Sequence, residues 1–258
     1  MTNTFKKTAI VAAKSAGAIL KKNIGNAHRI EFKGAIDIVT EMDRKAEDLI
    51  IKIIKNKFPE HGILTEESLE QKSDSEYRWI IDPLDGTTNY SHGFPVFCVS
   101  IALEKSGEGI ILGAVYNPML NELFTAEKNK GAYLNNKKIK VSDIKELTKS
   151  LLATGFPYDI RTSPDNNITH FANFAVRAQA IRRAGSAALD MCYVACGRID
   201  GFWEMKLKPW DTAAAWLIIK EAGGMVTGFN GKEFSFYSSE TLASNGLIHD
   251  EMIKALQG

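Results

Sequence analysis

Trp79-Ile80-Ile81-Asp82-Pro83-Leu84-Asp85-Gly86-Thr87-Thr88-Asn89 is an apolar, β-prone run that delivers two carboxylates onto a sharp turn. Pro83 removes a backbone donor and fixes φ, so the spacing predicts that the strand stops there. Gly86-Thr87-Thr88 reads as the opening of a short helix, where unpaired amides collect. Asp82 and Asp85 at the end of a buried strand repel each other unless a cation sits between them. Amides beside a helix start suit a phosphate group. A D-x-x-D pair by itself is commonly a solvated turn with an Asp cap. Strand, acids and amides together read as a divalent-metal site built to hold a phosphate ester.

Two distant segments give this reading company. Residues 61–65 form a short strand that ends on Glu66-Glu67-Ser68. In Lys208-Pro209-Trp210-Asp211-Thr212-Ala213-Ala214, the proline and the small helix formers put Asp211 at or just before a helix start. Such an acid alone would be an ordinary N-cap. Glu66, Asp82, Asp85 and Asp211 together stand at strand ends and helix starts, positions where a fold can converge side chains. All-oxygen ligands suit Mg²⁺ or Mn²⁺, with water completing the shell. His28, His61, His92, His170 and His249 show no paired ligand spacing, which argues against zinc.

The chain has 258 residues, 45% of them hydrophobic, enough to bury one core or two tightly joined halves. Lys and Arg number 32 against 31 Asp and Glu, so no global charge draws the chain to nucleic acid or a membrane surface. Cys192 and Cys196 lie one helical turn apart and read as small core residues rather than a redox pair. With Cys98 they favour a reducing cytoplasm. The apolar residues 9–20 are interrupted by Lys14 and followed by Lys21-Lys22, which is no signal peptide. No segment reaches the roughly 20 apolar residues that a membrane span needs. A soluble, cytoplasmic chain is expected.

Periodicity places amphipathic helices over 4–23 and 40–57, the second with Thr40 as N-cap and Asp43 in its first turn. The helix dipole alone would account for an acid there. Residues 31–40 read as extended or looped, with Gly34 as a hinge. Strands follow over 97–103, 109–116, 122–126, 132–134 and 138–141. Residues 1–145 are therefore two helices on a largely antiparallel sheet, carrying most of the acids. In 146–258, strands over 151–156, 180–183, 200–204, 225–227 and 241–244 alternate with helices over 168–178, 185–196, 211–222 and 249–256. The fold class is α+β, with an α/β second half carrying Asp211, in one compact unit without a flexible linker.

The segments 79–89 and 210–215 resemble the two signature segments of the inositol monophosphatase family, and Glu66-Glu67-Ser68 resembles its upstream acidic motif. The similarity runs over nearly the whole chain. Residues 182–190, Arg182-Arg183-Ala184-Gly185-Ser186-Ala187-Ala188-Leu189-Asp190, are most similar to the bacterial inositol-1-monophosphatases. The resemblance implies a layered α/β/α/β/α fold of the kind shared with fructose-1,6-bisphosphatase. It also implies a homodimer and Mg²⁺-dependent, Li⁺-sensitive hydrolysis of phosphate monoesters. By it, Glu66, Asp82 and the Leu84 carbonyl hold one metal, and Asp82, Asp85 and Asp211 a second. Glu66 shares a third, giving two to three ions, with Mn²⁺ as a substitute. Asp43 and the Thr87 hydroxyl match the family's water-orienting pair, with Glu66 beside the nucleophile. Asp85, Gly86, Thr87, Arg182, Gly185, Ser186, Ala187, Glu204 and Asp211 bind the substrate, and Lys33 matches a lysine on a mobile loop. Bisphosphate or 3′-phosphoadenosine hydrolysis are the enzymatic alternatives. A regulator of transcription or ribosome assembly is the alternative from another class, and the near-neutral charge weakens direct RNA binding as its main task.

Overall fold

The computed structural model describes residues 2–26, 30–32 and 38–258. Helix α1 (Thr2–Asn23) buries Phe5, Ala9, Ala12, Ala13, Ala16 and Leu20, a stripe at helical spacing. Strands β1 (Ile30–Phe32) and β2 (Ile38–Thr40) pair antiparallel ahead of helix α2 (Glu41–Lys55). The expected hinge at Lys33-Gly34 lies outside the described residues. A capping box starts α2: Asp43 accepts the Thr40 N–H at 2.8 Å and the Thr40 hydroxyl at 2.6 Å.

A sheet of seven strands follows, β3 (Gly62–Thr65), β4 (Tyr77–Asp85), β5 (Cys98–Lys105), β6 (Gly109–Asn117), β7 (Glu122–Glu127), β8 (Ala132–Leu134) and β9 (Lys137–Lys138). They lie in chain order, with β3 parallel to β4 and every other pair antiparallel. Short helix α3 (Thr87–Ser91) sits between β4 and β5. The strand expected over 138–141 is cut to Lys137–Lys138, because the chain leaves the sheet and Val141 N–H donates to the Ala222 carbonyl instead, at 3.2 Å.

The second half contains β10 (Leu151–Thr154), α4 (Ile168–Ala175), β11 (Ala180–Arg182), α5 (Ala187–Ala195), β12 (Gly201–Met205), α6 (Pro209–Glu221), β13 (Met225–Thr227), β14 (Glu240–Ser244) and α7 (His249–Gln257). Its sheet runs β11-β10-β12-β14-β13 and is mixed: β10 is parallel to both β11 and β12, and the other pairs are antiparallel.

Strand alternation sorts these elements into layers. Trp79 and Ile81 of β4, with Val99, Ile101 and Leu103 of β5, pack against α1 and α2. Ile80, Cys98 and Ala102 point the other way, onto α5 and α6. Those two helices are covered on their far side by Ala153, Phe202, Val226 and Ala243 of the second sheet. Leu152, Trp203 and Leu242 face outward onto Phe174 of α4 and Met252 of α7. The layered α/β/α/β/α order is the one observed, and α6, hydrophobic nearly all round, is the middle of it. Gly113 allows that closeness: a Cβ there would lie 2.5 Å from the Ala214 carbonyl oxygen.

Two buried histidines are built in as neutral rings. The Trp79 indole N–H donates to His61 Nδ1 at 3.1 Å, and His249 lies between Thr227 Oγ1 at 2.9 Å and Ser244 Oγ at 2.8 Å. Burial lowers the proton affinity of both. Their contribution to stability is therefore present above about pH 6.5, the ordinary histidine value, and is lost as pH falls through the lower folded values. An NMR titration should place the His249 ring midpoint below 6.5, and a midpoint above it would contradict the neutral ring.

Candidate active site

The D-x-x-D spacing is odd, so in a regular strand Asp82 and Asp85 would point to opposite faces. Strand β4 does not stop at Pro83. It carries a bulge, in which Asp82 pairs with Ser100 and Asp85 with Cys98. Pro83, without an N–H, sits where the ladder is interrupted. Three steps on β4 thus match two on β5, and both acids turn to the α5–α6 side. Leu84 turns the other way into the α1–α2 core, while its N–H donates to Asp82 Oδ1 at 2.9 Å.

Asp85 rests on the N-terminus of α5. Its Oδ2 accepts the Ser186 hydroxyl at 2.6 Å and the Ala188 N–H at 2.8 Å, where the helix dipole favours an anion. Asp211 is the third residue of α6, in its first turn and so at the helix start, and accepts the Lys208 N–H at 2.7 Å. Glu66 follows β3 directly. Glu204 shares the face of Phe202 on β12, so it points to the central layer. Its carboxylate lies over Gly155, where any Cβ would overlap it.

Glu66, Asp82, Asp85, Glu204 and Asp211 line a single cavity of about 600 Å³, together with Thr87, Ser186 and Arg183. Asp82 is 1% exposed. Burial first, then the charges of Glu66, Asp85 and Asp211, push its carboxyl well above the ordinary range. Burial pushes Asp85 up too, against the hydrogen bonds from Ser186 and Ala188. Burial lifts Asp211 to about 8 and Glu204 to about 8, the latter helped by Asp190 and opposed by Arg183.

Gly86 opens α3 at φ 101°, and no side chain caps that helix. A Cβ on Gly86 would come within 2.9 Å of the Val96 carbonyl and 3.2 Å of the Gly185 carbonyl, so only glycine fits. Asn89 Nδ2 donates to the carbonyls of Val96 at 2.7 Å and Ala184 at 2.8 Å, which pins α3 against the turn before α5. The Thr87 hydroxyl donates to Asp43 Oδ1 at 2.8 Å, with the Leu84 carbonyl 3.1 Å away as the other acceptor in reach. Burial raises the proton affinity of Asp43, and the bonds from Thr40 and Thr87 pull it back in part.

Arg182 is not placed as the sequence suggested. Both arginines are exposed, but Arg182 Nη1 donates to its own strand at the Ile181 carbonyl, and the cavity is lined by Arg183 instead. Adjacent residues at a strand end diverge, and only the docking of β11 beside β10 decides which one faces inward. Asp190, which the sequence reading missed, also lines the cavity, and burial pushes its carboxyl well up. It is the lone acid of the apolar helix Ala187–Ala195, and that was the available signal.

Among the described residues, no three His, Cys, Asp or Glu side chains stand close enough together to bind one ion as they are. The donor set still suits a hard divalent cation: all are carboxylates, they open onto one cavity, and their mutual repulsion is what positive charge would relieve. Among the described residues, no helix is long and apolar enough to cross a membrane.

The profile of the inositol monophosphatase family matches residues 1–258. The chain is 46% identical over 255 residues to the inositol-1-monophosphatase of Synechocystis sp., covering 98% of this chain and 88% of that protein. It is 46% identical over 240 residues to the Nus factor SuhB of Vibrio cholerae, covering 92% and 90%. The inositol monophosphatase structure from Anabaena (Nostoc) sp. superposes with a TM-score of 0.90 at 44% identity, over 99% of this chain and 96% of that one.

Proposed function

The chain belongs to the inositol monophosphatase family and is a phosphatase, and from that premise we propose that it hydrolyses inositol-1-phosphate and related phosphate monoesters with Mg²⁺. The observation that carries this reading is the opening of Glu66, Asp82, Asp85 and Asp211, from three distant segments, onto one cavity. Glu66, Asp82, the Leu84 carbonyl, Asp85 and Asp211 would hold two to three Mg²⁺, with Mn²⁺ as a substitute. When bound, the metal lowers the pKa of a water and neutralises charge on the leaving oxygen.

The protein's own groups do the positioning. The Gly86 and Thr87 amides at the start of α3 hold phosphate oxygens. Thr87 Oγ1, fixed by Asp43, orients the attacking water, and Asp43 is the acceptor behind it for the proton. Glu66 stands beside the same water. Gly185, Ser186, Ala187 and Glu204 face the polyol, with Arg183 in the place first given to Arg182. Asp85 and Asp211 also border the polyol. Uncatalysed monoester hydrolysis is so slow that the best enzymes accelerate it by up to about 10²¹-fold, while one general base supplies about 10²–10⁴. Charge neutralisation and positioning must therefore carry most of the effect.

Phosphate release should be fastest from inositol-1-phosphate among that ester, fructose-1,6-bisphosphate and 3′-phosphoadenosine 5′-phosphate, and absent without Mg²⁺. A faster bisphosphate or nucleotide would replace the substrate assignment. Metal should also register on the fold: Mg²⁺ raises the thermal midpoint of the wild type, because ligand binding to the folded state stabilises it. EDTA reverses the shift. A midpoint that ignores Mg²⁺ would count against the metal site.

The free thiols of Cys98, Cys192 and Cys196 suit a cytoplasmic setting. Homodimerisation and Li⁺ sensitivity are part of the same reading, and sedimentation and inhibition assays test them. A second, regulatory role in transcription is favoured by the likeness to the Vibrio cholerae Nus factor. A salt-dependent RNA shift that survives Asp82→Asn would support it, and no shift would dismiss it.

A further inference from the structure

Helix α2 carries two acids on its buried face, Asp43 and Glu47, one turn apart among Met42, Ala46, Ile50 and Ile54. Asp43 ties down Thr87. Glu47, 2% exposed, is used by nothing described so far. A carboxylate removed from water must be satisfied by donors, because an isolated buried charge is disfavoured far more strongly than a neutral polar group. The donors all come from one short segment. Glu47 Oε2 accepts the Thr65 hydroxyl at 2.5 Å and the Glu67 N–H at 3.1 Å, and Oε1 accepts the Ser68 hydroxyl.

Those donors bracket Glu66. Thr65 is the last residue of β3, paired with Ile81, so the ladder that aligns this segment with β4 ends one residue before Glu66. Beyond it, the backbone bonds that Ile63 and Gln71 exchange at 3.0 and 2.8 Å close the 64–70 loop. Between these two fixed points, Glu47 grips the turn on both sides of residue 66, leaving that side chain to the cavity.

We propose that Glu47 is a positioning residue: by clamping Thr65, Glu67 and Ser68 to helix α2, it aims Glu66 at the cation site beside Asp82. The inference rests on the reading of Glu66 as a metal ligand. Residues behind metal ligands typically change metal affinity or activity by about 10–100-fold when altered. Glu47→Gln keeps the shape but replaces one acceptor oxygen with a donor and removes the charge.

The test uses the full chain, with Mn²⁺ binding followed by electron paramagnetic resonance and Mg²⁺ activation followed by phosphate release. Glu47→Gln should weaken Mn²⁺ binding by about tenfold or more and raise the half-activating Mg²⁺ concentration in step. Activity at saturating Mg²⁺ should fall by less. Thr65→Val and Ser68→Ala, which leave the carboxylate in place, should shift both readings in the same direction by smaller factors. If Glu47→Gln does not fold, the Thr65→Val, Ser68→Ala double variant decides on the same criterion. Glu66→Gln separates the two levels. Should it leave Mn²⁺ binding unchanged, the metal reading of Glu66 falls and the inference with it. Should Glu66→Gln weaken binding while the clamp variants bind Mn²⁺ as the wild type does, only the positioning role is overturned.

Discussion

Asp82→Asn is expected to lower kcat/KM by at least about 10³-fold while leaving the protein folded. The expected loss follows from Asp82's place at the centre of the acids and from the several kcal/mol that charge stabilisation by a cation supplies, at 1.36 kcal/mol per tenfold. The more telling result is on stability. In metal-free buffer Asp82 is a buried carboxyl whose charged form is penalised by burial and by Glu66, Asp85 and Asp211. A group with its folded pKa raised contributes stability below its unfolded pKa and loses it as pH rises through the folded value. The metal-free wild type should therefore lose heat stability as pH rises from the ordinary carboxylate range toward neutrality, and Asp82→Asn should lose less. At neutral pH in EDTA the variant should melt no lower than the wild type, and Mg²⁺ should stabilise only the wild type. A variant that is inactive because it is unfolded, or one that keeps substantial activity, would remove Asp82 from the centre of the site.

Asp43→Asn and Thr87→Val should each reduce kcat by about 10²–10⁴-fold, the range of a positioned acid–base group. The two side chains meet at 2.8 Å across 44 positions of sequence and form one hydrogen-bonded unit. Groups that act as a unit are not additive, so the double variant should be no slower than the slower single one. Mn²⁺ binding should be retained in both, which distinguishes water orientation from metal holding. If the two losses multiply, the hydroxyl and the carboxylate act separately and the relay through Thr87 Oγ1 is wrong.

Local chemistry explains much of what the chain announces about itself. The alanine stripe of α1, the Thr40–Asp43 cap of α2, and the Pro209 start of α6 depend on neighbours a few residues away, and such interactions are legible in order. The near-continuous apolar runs of β4 and β5 likewise suit a sheet covered on both faces. The signature segments carry the family, and with it the layered fold.

What the order of residues could not state is where one face becomes the other. Pro83 reads as a strand end, yet the pairing of Asp82 with Ser100 and Asp85 with Cys98 makes it a bulge, and only β5 alongside supplies that register. The choice of Arg183 over Arg182 depends in the same way on β11 lying beside β10. Glu47 looks like an ordinary helix acid until Thr65, Glu67 and Ser68 arrive from 18 to 21 residues away to bond it. Sequence alone determined which residues are able to bind, cap and pack, because those properties belong to side chains and their near neighbours. Tertiary structure decided which of them share a cavity, because side-chain direction is set by strand register and helix docking, and both are properties of contacts between distant segments.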